Sequence, residues 1–401
     1  MIFINIFGVI VFIGILFLFS KNRKNIQWGS IVICLAVNFF LAWFMLKFSI
    51  GREILLLITD CLKWLLDKAY IGINFAFDDF VDLSKLGKGN WFFIALMPLL
   101  FIVPLFDILN YIGVMPLIIK VFGELLRIIL RRPKFESFFS IEMMVLGNND
   151  AIIVSRFQLS KMKPERILTI AMMSMSCITP AMVGAYVTMM PSIYILTAIP
   201  INIINSIIVT SILNPVIVPR NEDTVVKIAE RGEKKEPFFS FLCDSVLSAG
   251  KLVLIICAIV IAFISLTAII NSLLGLINSN LSLENILGVI MFPFAWLMGL
   301  DAPTAFNFAQ NIGLKLVTNE FVVMGKVTRD IIFYPPHYQA VLTVFVTSFA
   351  NLGTAGMILA CMKGILNKEQ NEIISKQLGY MMLAGLFVSL LSAATAGIFV
   401  W

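Results

Sequence analysis

Charged side chains are scarce in this chain: Asp, Glu, Lys and Arg make up 13% of its 401 residues, and histidine occurs once, as His337. With a single histidine and no Cys/His cluster, a tightly bound transition metal is not expected. The cysteines (Cys34, Cys61, Cys177, Cys243, Cys257 and Cys361) lack the paired spacing of a zinc site or a disulfide framework, which leaves packing as their role. Hydrophilic connections are scarce as well. Only 216–240 is sizeable, which implies one embedded domain without a soluble appendage.

What is abundant is apolar surface. Hydrophobic residues make up 60% of the chain, more than a water-soluble domain can bury, so the solvent to consider is lipid. A helix needs about 20 apolar residues to cross the hydrocarbon layer, and eight stretches qualify, at roughly 3–20, 28–48, 91–113, 165–190, 193–215, 249–275, 337–362 and 376–400. The first lacks a charged leader and a small-residue cleavage pattern, and Lys21, Arg23 and Lys24 follow it, so it reads as a retained anchor.

A net charge of +6 could suggest a nucleic-acid partner, but its distribution argues against one. Basic residues gather at Lys21/Arg23/Lys24, Arg127/Arg131/Arg132/Lys134, Lys161/Lys163/Arg166, Arg220/Lys227/Arg231/Lys234/Lys235 and Lys363/Lys368/Lys376. All five groups fall on the cytoplasmic side of the membrane if the N-terminus lies outside.

Some apolar segments are not expected to cross. Three (51–78, 116–132 and 237–248) mix charges with leucines at helical spacing and suit interfacial helices. Two others carry polar breaks at membrane depth: 136–160, interrupted by Gly147, Asn148, Asn149 and Asp150, and about 283–325, with LMGLDAPTAF near its middle and TNEFV at Thr318 to Val322. Both read as re-entrant hairpins. Each precedes a helix that is itself interrupted, at Pro180 and Gly184 in the first case and at Asn351, Gly353, Thr354 and Gly356 in the second. Corresponding interruptions in two halves of a membrane chain point to a transport site between them. The chain thus divides into 1–135 (three spanning and two interfacial helices), 136–215 (first hairpin and two helices), 216–275 (loop, interfacial helix and one spanning helix) and 276–401 (second hairpin and two helices).

Carboxylates in the hydrocarbon region cost about 2.5–3.5 kcal/mol on insertion scales, which makes Glu142, Asp150 and Glu320 functional candidates. Asn148, Asn149 and Asp150 offer two amides and an acid in one turn; amides donate and accept at once, as the mixed edge of a nucleobase requires. The same three residues could instead cap the hairpin's own helix ends. Glu320 could accept from a vicinal diol, or pair with Lys315 or Lys326. Asn351 and Thr354 lie three apart on one helix face and could complete a polar pocket. Phe349 lies near them, as core or as a stacking surface. Glu142 is either a proton carrier or a snorkelling acid.

At these residues the sequence resembles the concentrative nucleoside transporter family along essentially its whole length. The stretches that carry the resemblance are KFESFFSIEMMVLGNND (134–150), MSMSCITPAMVGAYVTM (173–189), KLVTNEFV (315–322) and SFANLGTAGMILACMKGIL (348–366). A bacterial purine-nucleoside branch, with Gly-Asn at the first hairpin tip, is most similar. The resemblance implies an all-α polytopic membrane protein, not an enzyme, with eight transmembrane helices, interfacial helices and two opposed hairpins in an inverted repeat. It further implies a homotrimer in the cytoplasmic membrane whose transport domains move like elevators. It assigns base contacts to Asn148, Asn149 and Asp150, an apolar contact under the base to Met182, and ribose contacts to Glu320, Asn351 and Thr354, with Phe349 beside them. The family's usual tip reads Gly-Gln-Ser/Thr-Glu, so all three tip residues depart from it and a modified nucleoside stays open as substrate.

The family's sodium positions fall here on Met143, Leu146, Cys177 and Ile178. Thioether and thiol are poor ligands for a hard cation, which takes oxygen. Protons are therefore expected as the coupling ion, carried by Glu142, Asp150 or Glu320, with sodium second; no cofactor is expected. An intramembrane hydrolase with two carboxylates is disfavoured, because the polar neighbours suit binding and the tyrosine-aspartate and glycine-x-glycine-aspartate motifs are missing.

Overall fold

The structure, a computed structural model, describes residues 1–77, 90–130, 132–219, 222–223, 236–279 and 281–401; most of the 216–240 loop, with its basic group, lies outside them. Among the described residues every regular element is helical. In chain order these are α1 (Ile2–Leu18), α2 (Trp28–Leu46), α3 (Ser49–Phe77), α4 (Leu99–Tyr111, entered through a π turn at Phe92–Leu96) and α5 (Val114–Leu130). Then come α6 (Lys134–Leu146), α7 (Asn148–Val154), α8 (Arg156–Leu159), α9 (Pro164–Ser174), α10 (Pro180–Tyr186) and α11 (Ser192–Leu213). The rest are α12 (Phe238–Ile277), α13 (Leu283–Trp296), α14 (Ala302–Val317), α15 (Glu320–Val327), α16 (Pro336–Val346), α17 (Leu352–Lys363), α18 (Lys368–Ser375) and α19 (Leu378–Ile398).

Five of the eight expected spans are continuous apolar helices of spanning length: α2, α4 with its π turn, α11, α12 and α19. A sixth is α1, with 17 residues. The other two, α9/α10 and α16/α17, are each broken by five non-helical residues, 175–179 and 347–351. Thr179 and Asn351 cap the second halves, accepting from the backbone N–H of Met182 (3.3 Å) and of Thr354 (2.8 Å).

Three expectations need correction. The segment 237–248 is no separate interfacial helix: it runs without a break into the following span as α12, because nothing from Pro237 to Ile277 interrupts the backbone ladder. The second hairpin is α14/α15, with its apex at Thr318–Asn319; the first half of LMGLDAPTAF is the turn between α13 and α14, and the second half begins α14. Helix α13 is a separate element that lies antiparallel against α14, with Leu287 facing Gly313 and Gly288 facing Phe306. Arg166, grouped above with the basic residues, lies in α9 and out of solvent. Its guanidinium is buried and makes a two-pronged bond to Glu136 (2.6 and 2.8 Å), pinning α9 to α6. Cys61 and Cys243 are exposed, so packing describes only the buried cysteines such as Cys34 and Cys177.

Once α13 is separated from the hairpin, the order span, helix, hairpin, broken helix, span occurs twice: α4, α5, α6/α7, α9/α10, α11 and then α12, α13, α14/α15, α16/α17, α19. The last members of the two series, α11 and α19, are the most enclosed long helices. Buried amides and hydroxyls join them to α2: Asn38 donates to Asn205 (2.9 Å) and Asn205 to Ser392 (2.9 Å). At Gly385, α19 passes so close to both breaks that an added Cβ would meet the Cβ atoms of Ala350 at 2.9 Å and Met175 at 3.0 Å.

Candidate functional site

The breaks and hairpin tips place four short helices, α7, α10, α15 and α17, with their N-terminal ends around one space. Each tip has its own local cause. The first turns at Gly147, whose φ of +94° and ψ of 169° lie in a region open essentially to glycine alone. A Cβ there would also meet Thr179 Cγ2 at 2.1 Å, so the tip packs directly on the α9/α10 break. The second turns at Asn319, whose side chain accepts from Val322 N–H (3.0 Å) and starts α15. Helix N-termini carry uncompensated N–H groups and partial positive charge, which favours anionic and oxygen-rich groups between them.

These ends surround a cavity of about 250 Å³, and all eight residues expected to bind substrate line it: Asn148, Asn149, Asp150, Met182, Glu320, Phe349, Asn351 and Thr354. Asn149 and Asp150 are exposed to it, whereas Asn148, Met182, Glu320, Asn351 and Thr354 are buried in its wall. The Asn148 side chain finds no partner for either polar atom among the described residues. A buried amide in that position costs about 1–3 kcal/mol unless something else satisfies it.

Glu320 is differently placed. Its carboxylate accepts from Tyr186 Oη (3.0 Å) at one oxygen and from Asn351 Nδ2 (3.1 Å) at the other. No salt bridge within 4 Å joins it to Lys315 or Lys326, although Lys315 is near enough to interact with it electrostatically. The two donors come from the two broken helices, so one carboxylate on the second hairpin ties α10 and α17 together. Asn351 serves twice, capping α17 through its oxygen and holding Glu320 through its nitrogen.

Of the remaining sequence candidates only Leu146 reaches the cavity. Glu142 lies in α6, buried, and accepts from Ser155 Oγ (2.9 Å) across the first hairpin. Met143, Cys177 and Ile178 are buried in the apolar core where α6 meets the α9/α10 break, and Leu146 reaches the cavity rim. Two kinds of residue at the site escaped sequence reading, one behind the cavity wall and one in it. Tyr186 sits in an apolar helix with nothing to set it apart until Glu320 is folded against it. Leu252, Ile255, Ile256, Ile259 and Phe263 of α12 close one side of the cavity, and their apolar character is what any spanning helix shows.

Comparison with known proteins places the chain in a family. The family described as Na+ dependent nucleoside transporter C-terminus matches residues 194–397, and its N-terminal counterpart matches residues 7–80. The purine nucleoside transport protein NupG of Bacillus subtilis (strain 168) is 40% identical over 99% of both chains. CNTnw solved in an inward-facing substrate-bound state superposes with a TM-score of 0.90 at 22% identity, covering 99% of this chain and 97% of that one. A doubly substituted CNTnw in an outward-facing state gives 0.91 at 22% identity, covering 100% and 98%. On this match in sequence and fold, the chain is a multi-pass membrane protein that belongs to the concentrative nucleoside transporter family.

Proposed function

We propose that this protein is a secondary active symporter that imports purine nucleosides with protons, by an elevator movement of the two hairpins and broken helices against the remaining helices. The observation that carries the substrate reading is the cavity itself, whose polar groups divide into two sets. Asn148, Asn149 and Asp150 on the first hairpin present donors and acceptors to the base edge, above Met182. Glu320, Asn351 and Thr354 present acceptors and donors to the ribose hydroxyls, beside Phe349. The identity to NupG, described as a purine nucleoside transport protein, supports a purine substrate.

Proton coupling is favoured by the donor types near the first break. Met143 and Cys177 offer sulfur and Leu146 and Ile178 hydrocarbon, where a sodium ion needs oxygen. Glu142, Asp150 and Glu320 are the candidate carriers, and Asp150 alone is an exposed carboxylate on the cavity. Sodium is the second reading, favoured by the family's own description. Backbone carbonyls at the 175–179 break could hold it.

The elevator reading is supported by CNTnw having been solved in both inward- and outward-facing states with this fold. The inverted relation of the two element series, a homotrimer in the cytoplasmic membrane and an outer N-terminus belong to the same proposal. Basic groups support that orientation: Lys21 N–H donates to Leu213 C=O (2.9 Å) and Lys21 Nζ to Gln377 (2.7 Å), so the first basic group lies beside the one that ends at Lys376.

The test is uptake of labelled adenosine, guanosine and uridine by proteoliposomes under an imposed pH gradient or an imposed sodium gradient. Purine accumulation driven by the pH gradient alone is expected. Accumulation driven by sodium alone would transfer the coupling to the 175–179 carbonyls. No accumulation of any nucleoside would remove the substrate reading.

A further inference from the structure

The two hairpin-and-break units can be aligned by their caps. The C-cap of α6 is Gly147 and that of α14 is Thr318; the N-cap of α10 is Thr179 and that of α17 is Asn351. Both breaks are five residues long. Counting from these caps, Met144 corresponds to Lys315, Ser176 to Ser348 and Met173 to Phe345. In the first unit the Ser176 hydroxyl donates to the Met173 carbonyl (2.7 Å), and the last turn of α6 carries no basic residue. In the second unit the equivalent carbonyl and hydroxyl face a cation. Lys315 Nζ donates to Phe345 C=O (2.5 Å), to Ser348 Oγ (2.6 Å) and to Ser389 Oγ of α19 (3.4 Å). Its ammonium lies 4.4 Å from the centre of the Phe345 ring, and the residue is fully buried.

A lysine is almost never fully buried without strong compensation. Here the compensation is specific: the ammonium sits at the C-terminal end of α16, where carbonyls lose their intrahelical partners and partial negative charge accumulates. Its three protons match three oxygens from α16, the break and α19. Lys315 is also five residues before Glu320 on the same hairpin, so whatever anchors it sets where Glu320 meets Tyr186 and Asn351.

We infer that Lys315 is a tethered cation, a positioning residue whose ammonium fixes the second hairpin on the α16/α17 break and so places the ribose-facing carboxylate of Glu320. A charge built into the chain does not leave during the transport cycle. It follows that the second unit needs no mobile cation at the place where the first leaves the Met173 carbonyl and the Ser176 hydroxyl without one. This rests on the proposed nucleoside transport.

The experiment compares nucleoside binding and uptake for the wild type, Lys315→Ala and Lys315→Met, each purified in detergent and reconstituted, with and without millimolar methylammonium. A charge-assisted hydrogen-bond set of this kind predicts a loss of nucleoside affinity of ~10-fold or more in both variants. Methylammonium fits the space left by Lys315→Ala and restores its affinity, but does nothing for Lys315→Met, whose stem fills that space, nor for the wild type. Wild-type affinity in Lys315→Met overturns the inference, because the stem without its charge would suffice. Loss in both variants with no response to the amine, whether the proteins are monodisperse or misfolded, also overturns it in favour of plain packing. A wild-type protein that binds no nucleoside removes the functional reading instead, which the wild-type arm reports separately.

Discussion

Glu320 shows how one side chain gathers a site. Its two oxygens each accept from a donor on a different broken helix, so replacing the acid by an amide takes the charge out of both hydrogen bonds. Glu320→Gln is expected to weaken nucleoside binding by ~10-fold or more, since a hydrogen bond to a charged group contributes about 1.5–3 kcal/mol; equilibrium binding to the purified protein measures it. Asp150→Ala is expected to lower uptake as well, and full uptake in either variant would remove that residue from the site. Gly147 sets a second test. Gly147→Ala combines a backbone conformation costing about 1–3 kcal/mol with contact against Thr179 Cγ2. Adding Thr179→Ser removes the methyl group but leaves the backbone cost, so the double variant is expected to regain only part of the lost uptake. The place of Asn148, Asn149 and Asp150 at a polar hairpin tip was legible in the sequence because three such residues interrupt an apolar run. Tyr186 was not, because its meaning comes from a partner 134 positions away.

Among elements, the first hairpin and the broken helix after it depend on one buried ion pair. Breaking such a pair by removing one partner leaves an uncompensated charge and costs about 3–5 kcal/mol, whereas replacing both partners by apolar residues is often neutral. Arg166→Leu is therefore expected to lower the thermal midpoint of the purified protein strongly, and Glu136→Leu/Arg166→Leu to recover most of it; measurement by a thiol-independent fluorescence melt distinguishes the two. The same pair shows a limit of pattern reading. Arg166 sits in a basic group that suits a cytoplasmic loop, and Glu136 looks peripheral at the end of its segment. Only the approach of α9 to α6 removes both from water. Element boundaries failed in the same way. Nothing local marks where an amphipathic start joins a span, as in α12, and a turn rich in Gly and Pro near 300 resembles a hairpin apex as closely as Thr318–Asn319 does.

For the whole molecule, the elevator reading makes the α12 wall a fixed surface and the hairpins a moving one. A short bismaleimide between cysteines placed at Leu252 and Met357, in a background without the native cysteines, spans the cavity and is expected to abolish uptake without preventing nucleoside binding in at least one state. Uptake unaffected by a completed cross-link would exclude relative movement of those surfaces. The trimer is tested by the mass of the detergent-solubilised protein, expected at three times 44.8 kDa after subtraction of detergent. Membrane embedding, the apolar helices, the two interrupted helices and the polar residues that meet at one cavity were determined by the sequence alone, since hydropathy and misplaced polar groups are local properties that lipid makes costly. The tertiary structure decided what those groups face: Arg166 against Glu136, Tyr186 against Glu320, Lys315 at the end of α16, and a greasy α12 as the cavity's far wall. Each of these is a pairing between distant segments, and a buried charge or hydroxyl acquires its role from the oxygen or nitrogen that packing brings within about 3 Å of it.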